Sequence, residues 1–565
     1  MAESGCVEIV DSNQNMAAPC ARSSSTNTRE VSSASASEDV KDTATPDVHN
    51  TAMKIERARE IYGAHTGTVG KPTTGETWLW YLYELCSYFI HTTLVPVLFP
   101  LIISQIFHSP AEPAGDLVMN RKGLLCGADQ MRLYDAITNK SINISNAKFS
   151  PLEWTSLSWG IGLILAAPIL GSISKYLDHG QKPQIIAAAA IAVGAFFCLP
   201  TGFFNVHWIF PPYIAAIIAG STVAMASHTR QLGHMIRGFT GPINQRKQFQ
   251  LRRGVSSWLS LYATAAGCLG AALMSAFSYQ MLRREERRFV ALWVVSIFSG
   301  LKWLVGISHI ITIKPTSSTT PASSISSIAH LLSIFNYPHA LGTVIVSFLS
   351  SFTTMCIFTS TVLYLLGDLC IKPVFILFFW LLYFLFPLIS LPLMQPIQLV
   401  IKVNAMKMHL FGFLLSLLTS GLMGFSHKNN TWQRQNVLGL AVLQGTSAGL
   451  LHAFGRVLII DCSPQGKEGV FSSWFSWGRA LGSCTGFAVA STIPGNVRTS
   501  FGVAFCTAIS GAILLIYGNI SDFGGAMAAR LVSEEYGDQE GSSPVAGLDT
   551  AGNVVTKDVE EGTPS

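Results

Sequence analysis

One pattern recurs along the chain: about twenty apolar residues, then a break of Gly, Pro, Asn or charge. A bilayer core about 30 Å thick takes roughly 20 helical residues to cross. Because lipid offers backbone groups no partner, such segments must be helices or closed barrels. Segments of this length lie near 78–106, 154–174, 183–204, 209–227, 254–277 and 289–313, and then near 338–365, 373–393, 408–425, 436–460, 471–493 and 501–519. The expected fold class is therefore an all-α membrane protein of about twelve transmembrane helices.

Composition agrees, with 12% of residues charged, 49% hydrophobic and a mean hydropathy of +0.40. The net charge of +5 comes from scattered Lys and Arg, which speaks against a nucleic-acid partner. Eleven cysteines form no C-x-x-C pair, and no His cluster has ligand spacing, so neither a metal centre nor a redox motif is indicated. Most thiols, such as Cys268, Cys356 and Cys506, sit in apolar runs and read as small buried hydrophobes. No Gly-rich phosphate loop, HExxH or G-x-S-x-G is present. An enzyme or an ATP-driven pump is disfavoured, and no cofactor is expected.

The Ser/Thr/Pro-rich stretch "KPTSSTTPASSISS" divides the segments six and six, the layout of a transporter built from two related halves around a midplane site. The expected organisation is a disordered cytosolic tail (1–77), an N-terminal six-helix bundle (78–313), a cytosolic connector (314–337), a C-terminal six-helix bundle (338–520) and a second disordered tail (521–565). Both tails are too polar to offset their ordering entropy by burial. The stretch "TRQLGHMIRGFTGPINQRKQFQLRR" reads as a basic cytosolic loop, yet "LRREERR" falls on the opposite side, so the Lys and Arg balance leaves orientation open. Sequons at Asn139, Asn143 and Asn429 all fall on the lumenal side when both termini are inside, and are candidate glycosylation sites. Cys126 and Cys370 face that same oxidising side and could pair.

Ionisable groups inside apolar spans are costly to insert, so each is a functional candidate. Glu84 and His91 are seven residues apart, two helical turns, and share a face suited to a proton relay. Gln444, His452 and Arg456 form a polar stripe on the tenth segment that should face a cavity. Arg456 could grip a substrate carboxylate with its planar fork, or pair with Asp461. Arg479, inside the eleventh segment, reads as a gate residue or an inter-helix tie. Lys302, near the middle of the sixth, has no partner visible in the sequence. Asp178 and Lys182 make a charged turn between the second and third segments, suited to locking or releasing helix ends. Lys467 and Glu468 make another before the eleventh.

The stretch "PQGKEGVFSSWFSWGRA" resembles the turn and following helix of the autophagy-related vacuolar amino-acid effluxer family (UMF-type branch) of the major facilitator superfamily, through Pro464, Gly466, Lys467, Glu468, Phe471, Trp474 and Arg479. "WYLYELCSYFIHTTLVPVLFPLIISQ" looks like that family's first helix, through Trp80, Tyr81, Tyr83, Ser87, Pro100, Leu101 and Gln105. Weaker echoes such as "GLLHAFGRV" extend the likeness from Trp78 to about Ile520. Two departures stand out. Lys175 occupies the family's acidic place, with Asp178 following later, and the seventh helix lacks an acid. The resemblance implies secondary active export of neutral amino acids, of the leucine, isoleucine and tyrosine types, from the vacuole lumen to the cytosol after autophagic breakdown. Protons are a candidate coupling ion. A transport-incompetent scaffold or nutrient sensor on the same fold, or a carrier of another small solute, is the alternative, and the plasma membrane is the alternative location.

Overall fold

Thr73 starts the first membrane helix: its hydroxyl accepts the Glu76 amide at 3.2 Å, satisfying a donor that has no intrahelical partner. Helix α1 (Thr74–Phe89) passes into a π-helical segment, Ile90–Leu98, around Pro96, and resumes as α2 (Phe99–Phe107). Proline has no amide to donate, and a widened turn is one way a helix absorbs that loss without breaking. In the computed structural model the described residues are 70–107, 117–119, 125–144, 146–180, 183–204, 206–241, 245–284, 288–311, 326–425, 434–464 and 466–518. They lie in one compact unit.

The remaining helices of the first half are α3 (Ala128–Thr138), α4 (Pro151–His179), α5 (Pro183–Cys198), α6 (Phe210–Thr240), α7 (Gln245–Arg284) and α8 (Arg288–Val305). A short α9 (Ser327–Leu332) follows, then α10 (Pro338–Gly367), α11 (Pro373–Ile401), α12 (Ala405–Phe425), α13 (Arg434–Asp461), α14 (Glu468–Thr492) and α15 (Val497–Tyr517). Ten spans among the described residues are long and apolar enough to cross a bilayer. Two more helices complete the expected dozen: α8, which is shorter, and α14, which is missing from the ten. Outward faces carry large exposed apolar side chains such as Ile164 (72%), Ile389 (66%) and Val400 (81%), as a lipid-facing surface requires.

The halves meet where α4 packs on α14 and α7 on α11. Within the second half α14 lies tightly on α10, because a Cβ at Gly482 or Gly486 would sit 2.2 Å from the Phe348 carbonyl oxygen or 2.4 Å from that of Phe352. Two ends result. At one, a hairpin of β1 (Leu117–Met119) and β2 (Leu125–Gly127) leads into α3, and β3 (Ile142–Ile144) pairs with β4 (Ala147–Phe149). Here Cys126 and Cys370 form a disulfide across 244 residues, and the Tyr134 hydroxyl donates to the Pro494 carbonyl at 2.9 Å. At the other, "ion-pair" end, α4 and α13 finish and α14 begins.

Two expectations need correction. The stretch read as a basic loop after residue 227 is mostly helix, since α6 runs on to Thr240 and α7 is already under way at Gln245. Charge marks where a helix leaves lipid, not where it ends, and these extensions keep buried polar faces such as His228, Arg230 and Arg237. Cys506 is exposed on α15 rather than buried. Near the end of the connector, Ser326 caps α9 by accepting the Ala329 amide at 3.3 Å.

Candidate functional site

Inside the bundle Glu84 of α1 is fully buried and ion-paired to Arg456 of α13, across 372 residues of sequence. His228 of α6 lies 3.2 Å and His452 of α13 3.6 Å from the same carboxylate oxygen, Oε1. Arg456 also donates to the Thr264 hydroxyl at 2.8 Å and the Ser260 carbonyl at 3.3 Å, both on α7. Trp80 stacks on His228 at 4.4 Å between ring centres, donates its indole N–H to the His228 carbonyl and lies under the Arg456 guanidinium. A buried ion pair is tolerable only with such supporting partners. Among the described residues, the Glu84 oxygen Oε2 has no hydrogen-bond partner.

Beside this centre lies a cavity between the halves. Tyr88, His91 and Thr92 line it from the first helix, Ser347, Ser350 and Met355 from α10, and Phe384 from α11. Arg479 enters from α14 with Nη1 at 3.5 Å from His452 Nε2 and Nη2 at 3.4 Å from His91 Nε2. Arg479 also lines an adjoining cavity with His91, Trp159 and Ser476. Among the described residues no carboxylate lies within ion-pair distance of Arg479. A guanidinium that faces a cavity and has no carboxylate within ion-pair distance among the described residues can receive an anionic group from a ligand.

The ion-pair end is closed by charges from both halves. Both Asp178 oxygens accept amides at the start of α14, from Gly469 and, at 3.1 Å, from Val470. A carboxylate there meets unpaired N–H groups and the positive end of the helix dipole. His330 of α9 approaches Asp178 at 3.0 Å. Arg237 of α6 pairs with Glu468, and Arg252 of α7 with Asp461 at 3.3 Å. Lys467 donates to the Tyr337 hydroxyl at 2.8 Å, within the second half.

Of the residues singled out by sequence, Glu84, His91, His452, Arg456 and Arg479 therefore gather at the centre, and Asp178, Lys467 and Glu468 at the ion-pair end. Arg456 does not pair with Asp461, which takes Arg252, and its fork is already occupied by Glu84 and α7. Gln444 sits apart from the stripe it was assigned to: it accepts from Thr419 of α12 at 2.6 Å in a hydroxyl-rich contact with that helix. Lys302 donates to the Gly270 carbonyl at 2.7 Å. Asn139 and Asn143 are exposed at the disulfide end. Lys182 and Asn429 lie outside the described residues. Sequence reasoning missed His228, Arg237, Arg252 and His330. The first three carry a usable signal, polar residues at helical spacing in "SHTRQLGHMIR" and "QLRRGVSS", hidden once those stretches are read as loop.

No family model matches the chain, and no curated protein matches it in sequence. Among solved structures it is similar to the major facilitator superfamily proton:xylose symporter XylE bound to 6-bromo-6-deoxy-D-glucose, with 12% identity, a TM-score of 0.51, and coverage of 79% of this chain and 95% of that one. Other matches are the human organic anion transporter MFSD10 (14% identity, TM-score 0.47, 79% and 100% coverage) and a bacterial homologue of the iron transporter ferroportin in an outward-facing state (14%, 0.48, 78% and 98%). The likeness to the symporter concerns architecture: the chain is a nearly all-helical, multi-pass membrane protein with the major-facilitator fold in two halves.

Proposed function

We propose that the protein is a secondary transporter that moves neutral amino acids from the vacuole lumen to the cytosol by alternating access, after autophagic breakdown. The observation that carries this reading is Arg479, a half-buried cation without a carboxylate partner among the described residues, at a cavity between the halves. A zwitterion can place its carboxylate on that guanidinium and its ammonium among Tyr88, Ser347 and Ser350, while an apolar side chain meets Met355 and Phe384. The resemblance of the first and eleventh helices to vacuolar effluxers supports the solute class and the membrane. Exposure of Asn139 and Asn143 beside the disulfide supports a lumenal position for that end.

Proton coupling belongs to the same reading. Glu84 has a buried oxygen free to hold a proton, histidines on two helices beside it, and a tie to Arg456 that a proton would loosen. Efflux of labelled leucine from liposomes is the direct test. Arg479→Ala lowers it at least about tenfold, the scale of one charge-assisted hydrogen bond, and Arg479→Lys restores part of it. Unchanged flux in Arg479→Ala removes the assigned anchor, and unchanged pH dependence in Glu84→Gln removes the proton site.

The covalent bond between the halves at Cys126 and Cys370 favours a second reading, a nutrient sensor on the same fold that binds without transporting. Leucine binding with no flux in the same liposomes, before and after reduction, would select it.

A further inference from the structure

The short helix α9 continues as a 3-10 turn, Ser333–Asn336, and one residue later the chain enters membrane helix α10 at Pro338. This piece has two unlike faces. His330 and Ile334, four residues apart, are buried against the bundle. Ile328, Leu332 and Phe335, spaced four and three apart, are 72%, 49% and 51% exposed, and Ala329 beside them is exposed as well. Between Ser326 and Tyr337 the sequence holds no Lys, Arg, Asp or Glu. Single apolar side chains often meet water, but an uncharged face of three large ones marks a contact surface.

The position of that face tells what covers it. Leu331 lies on α4 at Gly171, where a Cβ would come within 3.2 Å of the leucine side chain. At about 1.5 Å per residue, Gly171 is about 30 Å along α4 from Pro151, the thickness of a bilayer core. Pro151 follows closely on the β3–β4 hairpin of the disulfide end, so Gly171 lies where α4 leaves hydrocarbon at the ion-pair end. The exposed α4 residues Ile161, Ile164, Leu165 and Ile169 run up to that point as part of the lipid-facing surface, and the exposed Tyr176 ring follows just beyond, as an interfacial aromatic does. We propose that α9 rests in the headgroup boundary of the leaflet at the ion-pair end, with Ile328, Leu332 and Phe335 among the first acyl carbons of the phospholipid. Lipid and gate then meet two sides of one helix. From its buried side His330 approaches Asp178 at 3.0 Å, and the Leu331 carbonyl accepts the Trp474 indole N–H of α14 at 2.9 Å. Phe335 meets the Trp474 ring edge-on, with centres 5.5 Å apart. The bilayer thereby steadies the contact that joins α4 to α14, whatever solute is carried.

Nanodiscs of phosphatidylcholine carrying a diazirine either near the glycerol or at the chain end, formed around the full-length protein and followed by peptide mapping, test this. The peptide spanning 328–335 is expected to react with the shallow probe and hardly with the deep one, whereas the α4 peptide at Ile161 and Ile164 takes the deep one. Ile328→Asp combined with Leu332→Asp lowers the shallow labelling of 328–335 at least about fivefold, since a carboxylate is far costlier than leucine among acyl chains. The same variant speeds hydrogen exchange at the Gly469 and Val470 amides, and Ile328→Trp keeps both readouts near the parent. Formation of the Cys126–Cys370 bond and unchanged labelling at Ile164 report that the fold is kept. Absence of lipid adducts on 328–335, as when another part of the chain covers the face, overturns the site, and so does stronger labelling there by a water-soluble diazirine than by the shallow lipid. Loss of lipid labelling with exchange at the two amides unchanged overturns the link to the gate.

Discussion

The two ends of the bundle are held in opposite ways. At the ion-pair end, Asp178, Arg237, Glu468, Arg252 and Asp461 join the halves through contacts that water can replace. At the disulfide end the halves share a covalent bond, with Leu133, Ile137 and Tyr134 of α3 laid over apolar walls. Ion pairs and hydrogen bonds that water can take over once the end parts suit a gate that opens and recloses, whereas a bond across 244 residues limits how far its end can part. On the proposed cycle the first end does most of the opening, and the second behaves as a hinge with small excursions.

The sharpest way to break this contrast is to show that neither end dominates and the centre holds the halves together. Arg456→Ala leaves Glu84 buried without its cation, and removal of one partner from a buried pair typically costs about 3–5 kcal/mol. Thermal unfolding in detergent should show a loss of that order; a loss below about 1 kcal/mol would mean that the two histidines suffice. Next in size is Cys126→Ser. Removing the cross-link should lower stability by about 2–4 kcal/mol and expose Cys370 to thiol reagents, and an unchanged unfolding midpoint would demote the covalent end. Smallest is Asp178→Asn, which keeps a hydrogen-bonding side chain but removes the charge at the start of α14. A cost of about 1 kcal/mol is expected, with faster hydrogen exchange at the Gly469 and Val470 amides. Exchange as slow as in the parent would show that His330 and Asp178 do not govern this gate.

The dozen membrane segments were legible because bilayer thickness imposes one length on them. Helix ends were not, where α6 and α7 run on beyond the apolar stretch and keep buried polar faces there. At the centre, Glu84, His91, His452, Arg456 and Arg479 were visible one by one, since each is an expensive residue in an apolar run. Their partnerships were not. Arg456 has an acid five residues away at Asp461 and instead reaches Glu84, a choice made by helix packing that no local spacing records. Asp178 shows the converse. Its offset from the family's acidic place reads as a departure, yet its carboxylate meets the α14 amides.

The π-helical segment Ile90–Leu98 has one more consequence. Each residue added to a helix turns everything beyond it by about 100°, so the widened stretch re-aims the far half of that rod without bending the chain away from its neighbours. The near half thereby addresses Arg456 through Glu84, and the far half addresses an apolar pocket through Pro96 and Pro100. Straightening it would uncouple two rooms that now share a single axle.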